Sequence, residues 1–140
     1  MNRQLVIHSE KCTGCHSCEM ICSLIHDHQC NLNLSRIGIL KTNGGGSREN
    51  IPIVCKQCRD PLCAEACVTG AIARNDQTGA LVVDENLCVG CKTCVITCPS
   101  GRILFHYIKE CSMKCDLCGG DPACVKSCLY GALEFLPVDG

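Results

Sequence analysis

Eighteen of the 140 residues are cysteine, and sixteen of them fall into four blocks with one grammar. The blocks are Cys12, Cys15, Cys18 and Cys22; Cys55, Cys58, Cys63 and Cys67; Cys88, Cys91, Cys94 and Cys98; and Cys115, Cys118, Cys124 and Cys128. Each opens with a C-x2-C pair and closes with a C-x3-C pair. The chemistry open to such thiols is disulfide formation or, as thiolates, ligation of a soft metal. Two-residue gaps let a tight loop wrap three thiolates around one face of a metal centre, with backbone N–H groups turned toward the sulfurs. The closing pair sits four apart, so on a helix both side chains share a face one turn apart. One then points to the near centre and the other across to its neighbour.

Cysteine makes up about 13% of the chain, a density that suits a disulfide scaffold in a secreted protein. The N-terminus, MNRQLVIHSEKC, has neither the positive stretch, apolar run and cleavage site of an export signal nor a twin arginine. The expected compartment is therefore the cytoplasm, where thiols stay reduced and dense cysteine points to metal or catalysis. Zinc sites use C-x2-C pairs, but zinc knuckles rarely chain four cysteines at gaps of two, two and three with a trailing proline. Block three, Cys88 to Cys98 followed by Pro99, does so, and that run is the iron–sulfur pattern in which the fourth cysteine serves the second cluster of a pair. Four blocks lead to an expectation of four [4Fe–4S] clusters, with three as the alternative. The alternative arises in block four, where Gly119-Gly-Asp-Pro-Ala123 widens a gap and Cys111, four before Cys115, offers a substitute ligand. The shared ending C-x3-C-x-x-G favours 115/118/124/128. Cys30 and Cys111 are left as small buried hydrophobes or free thiols.

The elements that must position these ligands repeat with them. Cys67-Val-Thr-Gly-Ala-Ile72, Cys98-Pro-Ser-Gly-Arg-Ile103 and Cys128-Leu-Tyr-Gly-Ala-Leu133 share one ending. It predicts a short helix stopped at a glycine, then an apolar strand residue. The lead-ins Val6-Ile-His-Ser-Glu-Lys-Cys12 and Val82-Val-Asp-Glu-Asn-Leu-Cys88 predict strand, turn and first ligand. The fold class is α+β, as two nested ferredoxin-like modules with short strands and helices around the clusters. Residues 1–140 form one domain, its outer module 1–42 plus 109–140 and its inner module 51–108. Asn43-Gly-Gly-Gly-Ser-Arg-Glu-Asn50 reads as a flexible connector, or as a surface lobe touching a partner.

Composition excludes several functions. Thirteen basic and fourteen acidic residues give no basic footprint for nucleic acid, and no apolar run nears the roughly 18 residues needed to insert in a bilayer. There is no tryptophan and only four other aromatics, so a large aromatic core is ruled out and the metal-free chain should be largely unfolded. Four clusters, each near −2 with its thiolates, would take the formal charge from −1 to about −9. Lys11, Lys56, Lys92 and Lys114 each adjoin a ligand and suit that charge, although ordinary solvated lysines are the plainer reading. No histidine among 8, 16, 26, 28 and 106 accompanies a nucleophile, and His26-Asp27-His28 reads as a solvated helix end. With every iron fully ligated, the chain has no catalytic site of its own and is not an enzyme.

The chain resembles the four-cluster ferredoxin-like electron-transfer subunits. These include the iron–sulfur subunits of the dimethyl sulfoxide reductase and formate dehydrogenase group, and shorter soluble relatives serving hydrogenases, carbon monoxide dehydrogenase and tungsten aldehyde oxidoreductases. The resemblance rests on Lys114-Cys-Asp-Leu-Cys-Gly-Gly-Asp-Pro-Ala-Cys124 and Cys55-Lys-Gln-Cys-Arg-Asp-Pro-Leu-Cys63, with Leu34-Ser-Arg-Ile37 like the soluble members. It implies that Cys12, Cys15 and Cys18 bind with Cys128, and that Cys115, Cys118 and Cys124 bind with Cys22. Likewise it joins Cys55, Cys58 and Cys63 to Cys98, and Cys88, Cys91 and Cys94 to Cys67. Val68 and Leu129 stand where the family often has proline after a fourth ligand.

What the resemblance implies is a relay passing single electrons between a catalytic oxidoreductase subunit and another subunit or soluble acceptor. A tungsten or molybdenum aldehyde oxidoreductase leads the candidate partners, ahead of carbon monoxide dehydrogenase, hydrogenase and formate dehydrogenase. A flavin subunit or soluble ferredoxin would be the onward acceptor. Low potentials, roughly −400 mV, suit anaerobic metabolism. The alternatives are a free multi-cluster ferredoxin and, further off, a cluster donor or sensor.

Overall fold

The computed structural model describes residues 3–42 and 49–137. The described chain forms β1 (Arg3–Ile7), α1 (Ser17–Asp27), β2 (Gly38–Thr42), β3 (Glu49–Ile53), α2 (Leu62–Ala66) and β4 (Ile72–Arg74). There follow β5 (Leu81–Val83), α3 (Thr93–Thr97), β6 (Leu104–His106), β7 (Cys111–Met113), α4 (Ala123–Ser127) and β8 (Leu133–Pro137). Residues 43–48 of the expected connector lie outside the described residues. Its last two residues, Glu49 and Asn50, are already in β3, opposite Thr42 and Lys41, because pairing with β2 satisfies their backbone groups.

Among the described residues the strands pair two by two, all antiparallel: β1 with β8, β2 with β3, β4 with β5, and β6 with β7. The β1–β8 ribbon joins the two ends of the chain, with Arg3 opposite Pro137 and Ile7 opposite Leu133. Helices pair in the same spirit, α1 packing on α4 and α2 on α3. The β2–β3 and β6–β7 ribbons straddle the positions where the two modules were expected to meet. A lone two-stranded ribbon is marginal in water, and the five-residue helices α2, α3 and α4 are far below the length at which a helix stands alone.

The core between these pieces is largely made of thiols. One buried cluster gathers Ile37, Val54, Ala80, Leu117 and Leu133 around Cys18, Cys22, Cys55, Cys115 and Cys124. A second gathers Ile72, Leu81 and Ile103 around Cys63 and Cys94. The order of strand, turn and ligand at the lead-ins is seen at β1, where a 3-10 turn, Ser9–Lys11, delivers Cys12. At the shared endings the helix stops at the cysteine and not at the glycine. Cys67, Cys98 and Cys128 are extended residues capping α2, α3 and α4. The glycine comes three residues later and closes a separate turn, Gly70 N–H donating to the Cys67 carbonyl at 3.4 Å and Gly101 N–H to that of Cys98 at 3.2 Å.

Candidate metal centres

Each C-x-x-C turn is built on the same backbone. The residue just before the second cysteine is left-handed in all four: Gly14 at φ 74°, Gln57 at 50°, Gly90 at 75° and Leu117 at 58°. At Gly90 no side chain fits, because a Cβ would meet the Glu110 backbone carbonyl at 2.9 Å, whereas at Gly14 it would displace the tip of the Asn50 side chain, 2.7 Å away. Gln57 and Leu117 bear the strain of a left-handed non-glycine residue, and both side chains are held by burial. The turn aims an N–H back at the first sulfur: Gln57 N–H at Cys55 Sγ and Leu117 N–H at Cys115 Sγ, both 3.4 Å.

The cysteines converge as sets drawn from different blocks. Cys12, Cys15, Cys18 and Cys128 line one void of about 320 Å³, counting its open side. Cys22, Cys115, Cys118 and Cys124 line a second of about 310 Å³, and Cys67, Cys88, Cys91 and Cys94 a third of the same size. For the remaining set, Cys63 and Cys98 pack together in the second buried cluster, and burial pushes the Cys63 thiol up, with the charges of Cys55 and Cys98 adding to the rise against that of Lys114. Cys58 follows Cys55 through the same turn, its carbonyl accepting from Arg74 at 2.7 Å. Four soft donors around one void suit an iron–sulfur cubane.

Depth raises several thiols but not all, since Cys22, equally buried, is held against burial, below its ordinary value, by His26 and the Arg36 N–H. Burial drives the Cys18 and Cys115 thiols up to about 12, and Cys124 higher still. Cys115 packs in one buried cluster with both Cys22 and Cys55, so it adjoins the set holding Cys55 as well as its own. At the periphery hydroxyl groups stabilise the thiolate. Thr69 Oγ1, 3.5 Å from Cys67 Sγ, is the leading cause that brings this thiol down to about 7. Ser17 and Thr93 likewise lower Cys15 and Cys91. At Cys98 burial opposes ionisation, but Ser100 and nearby N–H groups outweigh it. These hydroxyls escaped the sequence reading, though a Ser or Thr two residues after a cysteine is a legible signal.

Longer-range donors also escaped it. Arg36 N–H points at Cys22 Sγ at 3.3 Å, Ser112 N–H at Cys88 Sγ at 3.4 Å, and Ser112 Oγ lies 3.0 Å from Cys94 Sγ. The His26-Asp27-His28 segment is not a solvated helix end. His28 is exposed, but His26 Nε2 donates to Asp116 Oδ1 at 3.0 Å while its Nδ1 faces the Cys22 carbonyl at 2.9 Å and sulfur at 3.8 Å. The Asp116 carboxylate, then Cys22, raises His26 to about 10, and both of its ring nitrogens are engaged by these neighbours. Asp27 is buried between Arg36 and His106. Of the four lysines beside ligands, Lys11, Lys56 and Lys92 are exposed, Lys92 lying 4.5 Å over the Phe105 ring, whereas Lys114 is buried. Cys30 is an exposed free thiol and Cys111 a buried one in β7.

Residues 48–137 match the family described as the 4Fe-4S dicluster domain. The chain belongs to the 4Fe-4S dicluster family. One relative is the polyferredoxin-like subunit of aliphatic sulfonate oxidoreductase from Pyrococcus furiosus, 40% identical over 134 residues that cover 96% of this chain and 76% of that one. The B subunit of anaerobic dimethyl sulfoxide reductase from Escherichia coli is 35% identical over 149 residues, covering 95% and 72%. Among solved structures, the BamBC active-site complex of benzoyl coenzyme A reductase with benzoyl-CoA matches at a TM-score of 0.55 and 26% identity, over 95% of this chain and 78% of that one. This dicluster protein is thus an α+β iron–sulfur protein of electron transport, akin to the iron–sulfur subunits of oxidoreductase complexes. Among its described residues no helix is long and apolar enough to cross a membrane.

Proposed function

We propose that this chain is the electron-transfer subunit of an oxidoreductase complex, with four [4Fe–4S] clusters standing in file. The ligand sets are Cys12, Cys15, Cys18 and Cys128; Cys22, Cys115, Cys118 and Cys124; Cys55, Cys58, Cys63 and Cys98; and Cys67, Cys88, Cys91 and Cys94. The observation that carries the reading is the grouping of cysteines from distant blocks around single voids, linked through Cys115, which shares a buried cluster with both Cys22 and Cys55. Packing of α1 on α4 and of α2 on α3 supports an outer and an inner module, each with two sites.

A [4Fe–4S] cluster, when bound, accepts and returns one electron. The residues of this chain set where that happens. Cys15 and Cys91 are exposed, whereas Cys22, Cys115, Cys124, Cys55 and Cys63 are buried. Only the first and last sets thus include an exposed ligand and the middle two include none, which suits a relay with an entrance and an exit. Exposed Leu129 and Tyr130 lie beside the first site, and exposed Val68, Val89 and Ile96 beside the last. The relatives named as oxidoreductase subunits support a catalytic partner at one end, with a tungsten or molybdenum oxidoreductase as the favoured class and a flavin subunit or soluble ferredoxin at the other. The cytoplasm is the compartment of this reading. Anaerobic purification from the native source with metal analysis tests it. Co-elution with a larger subunit carrying tungsten or molybdenum supports the proposal, and a chain that runs alone with iron only makes it a free ferredoxin.

A further inference from the structure

Two of the four cysteine sets meet at a buried polar junction that ligation does not require. Lys114 is 4% exposed, and its Nζ donates to the Leu81 carbonyl and, at 2.7 Å, to the Cys115 carbonyl. Gln57, also 4% exposed, donates from Nε2 to that same Cys115 carbonyl at 2.8 Å, while its Oε1 accepts from Leu81 N–H at 2.7 Å. The backbone N–H of Gln57 points at Cys55 Sγ. One ammonium and one amide thus tie the turn bearing Cys115 to the turn bearing Cys55, through β5.

A buried ammonium is costly unless something offsets it, and no carboxylate pairs with Lys114 among the described residues. Its two protein partners are carbonyl dipoles, so its charge is left to act on the sulfurs. The ammonium holds the carbonyl of Cys115, and Gln57, whose N–H faces Cys55 Sγ, holds that same carbonyl, so the charge is buried between the two turns. Cys55 and Cys115 share one buried cluster but belong to different sets. In a medium of low dielectric such a charge acts far more strongly than the exposed Lys56, which solvent screens.

We propose that Lys114 is a shared redox-positioning cation, holding up the reduction potentials of the second and third clusters together so that the electron crosses between the modules at this junction. The inference rests on the four-set reading above. The crossing moves one electron, oxidising one cluster as its neighbour is reduced, with no bond or proton exchanged. Because the charge is shared, its loss lowers both potentials without opening a gap between them, and the clusters at the two exposed ends stay as they are.

The test is a redox titration of the anaerobically purified protein followed by electron paramagnetic resonance, with iron counted in every sample. In Lys114→Met, two of the four potentials fall, each by about tenfold in the reduction equilibrium, or ~59 mV for one electron. Lys56→Gln moves none of them comparably. Lys114→Gln removes the charge but keeps a donor for the Leu81 and Cys115 carbonyls, and it should lower the same two potentials, which decides the matter if Lys114→Met fails to load. The inference is overturned if a fully loaded variant shifts no potential, only one, or all four alike, or if Lys56→Gln matches it. A wild-type chain holding fewer than four clusters overturns the ligand reading instead.

Discussion

His106 Nε2 donates to Asp27 Oδ1 at 2.8 Å, joining the end of α1 to a strand 79 residues further on. The other carboxylate oxygen pairs with Arg36, whose own N–H faces Cys22 Sγ. Both side chains of the Arg36–Asp27 pair are almost fully buried, at 6% and 4% exposure. This network fixes the loop after α1 against the second cysteine set. Asp27→Asn leaves the buried Arg36 guanidinium without its anion and should destabilise the holoprotein by about 3–5 kcal/mol. Burial alone would raise the Asp27 carboxyl, but Arg36 and His106 hold it below the ordinary range. Its stabilisation is therefore complete above about pH 4 and lost as pH falls through the lower folded value. Denaturant midpoints of the anaerobic holoprotein should differ widely between wild type and variant, and the gap should hold steady from about pH 6 to 8, where Asp27 is fully ionised. Equal midpoints, or a gap that vanishes towards about pH 6, would contradict this.

Ser112 serves a single site twice, through Oγ at 3.0 Å from Cys94 Sγ and N–H at 3.4 Å from Cys88 Sγ. Ser112→Ala removes only the hydroxyl. Since a donor to sulfur stabilises the more negative, reduced state, the variant should lower one potential of the four by on the order of 1 kcal/mol. A redox titration checks it, and an unshifted set of potentials would refute the role given to Ser112.

How much of this was legible beforehand varies with range along the chain. The cysteine blocks, the α+β class and the order of strand, turn and ligand follow from spacing over a few residues, where backbone geometry leaves few options. The ribbon of β1 with β8, the burial of Asp27 and the junction at Lys114 depend on partners brought together from distant blocks, and local patterns carry no trace of them. Gln57 shows the difference. Its left-handed backbone belongs to the C-x-x-C turn that repeats four times, yet its amide bridge to Cys115 spans 58 residues. The helix stops were misplaced for a related reason. A glycine three residues past the last ligand resembles a C-cap, while ligand geometry ends the helix at the cysteine itself.

Val68 occupies the place that Pro99 holds after block three, and it is 86% exposed. Its N–H makes no backbone hydrogen bond outside regular elements, so proline removes no donor in use there. Val68→Pro should raise stability by about 0.4–1 kcal/mol by restricting the unfolded chain, with the iron content unchanged. Thermal bleaching of the visible chromophore measures it; loss of iron would show that the turn after Cys67 differs from the one after Cys98.

Thiols form much of both buried cores, and the ribbons and five-residue helices around them cannot stand alone. Removing iron with a chelator under reducing conditions should therefore unfold the chain. Near-UV circular dichroism and protease sensitivity report it. A chelated chain that keeps native ellipticity and resists protease would mean that the apolar residues suffice.

The central claim is that sixteen cysteines, taken three from one block and one from another, hold four cubanes. Iron and acid-labile sulfide counted per chain in anaerobically purified protein test it most directly. The account predicts about sixteen of each, with Cys30→Ser unchanged. About twelve, or eight, would contradict it and leave at least one of the four sets without a cluster.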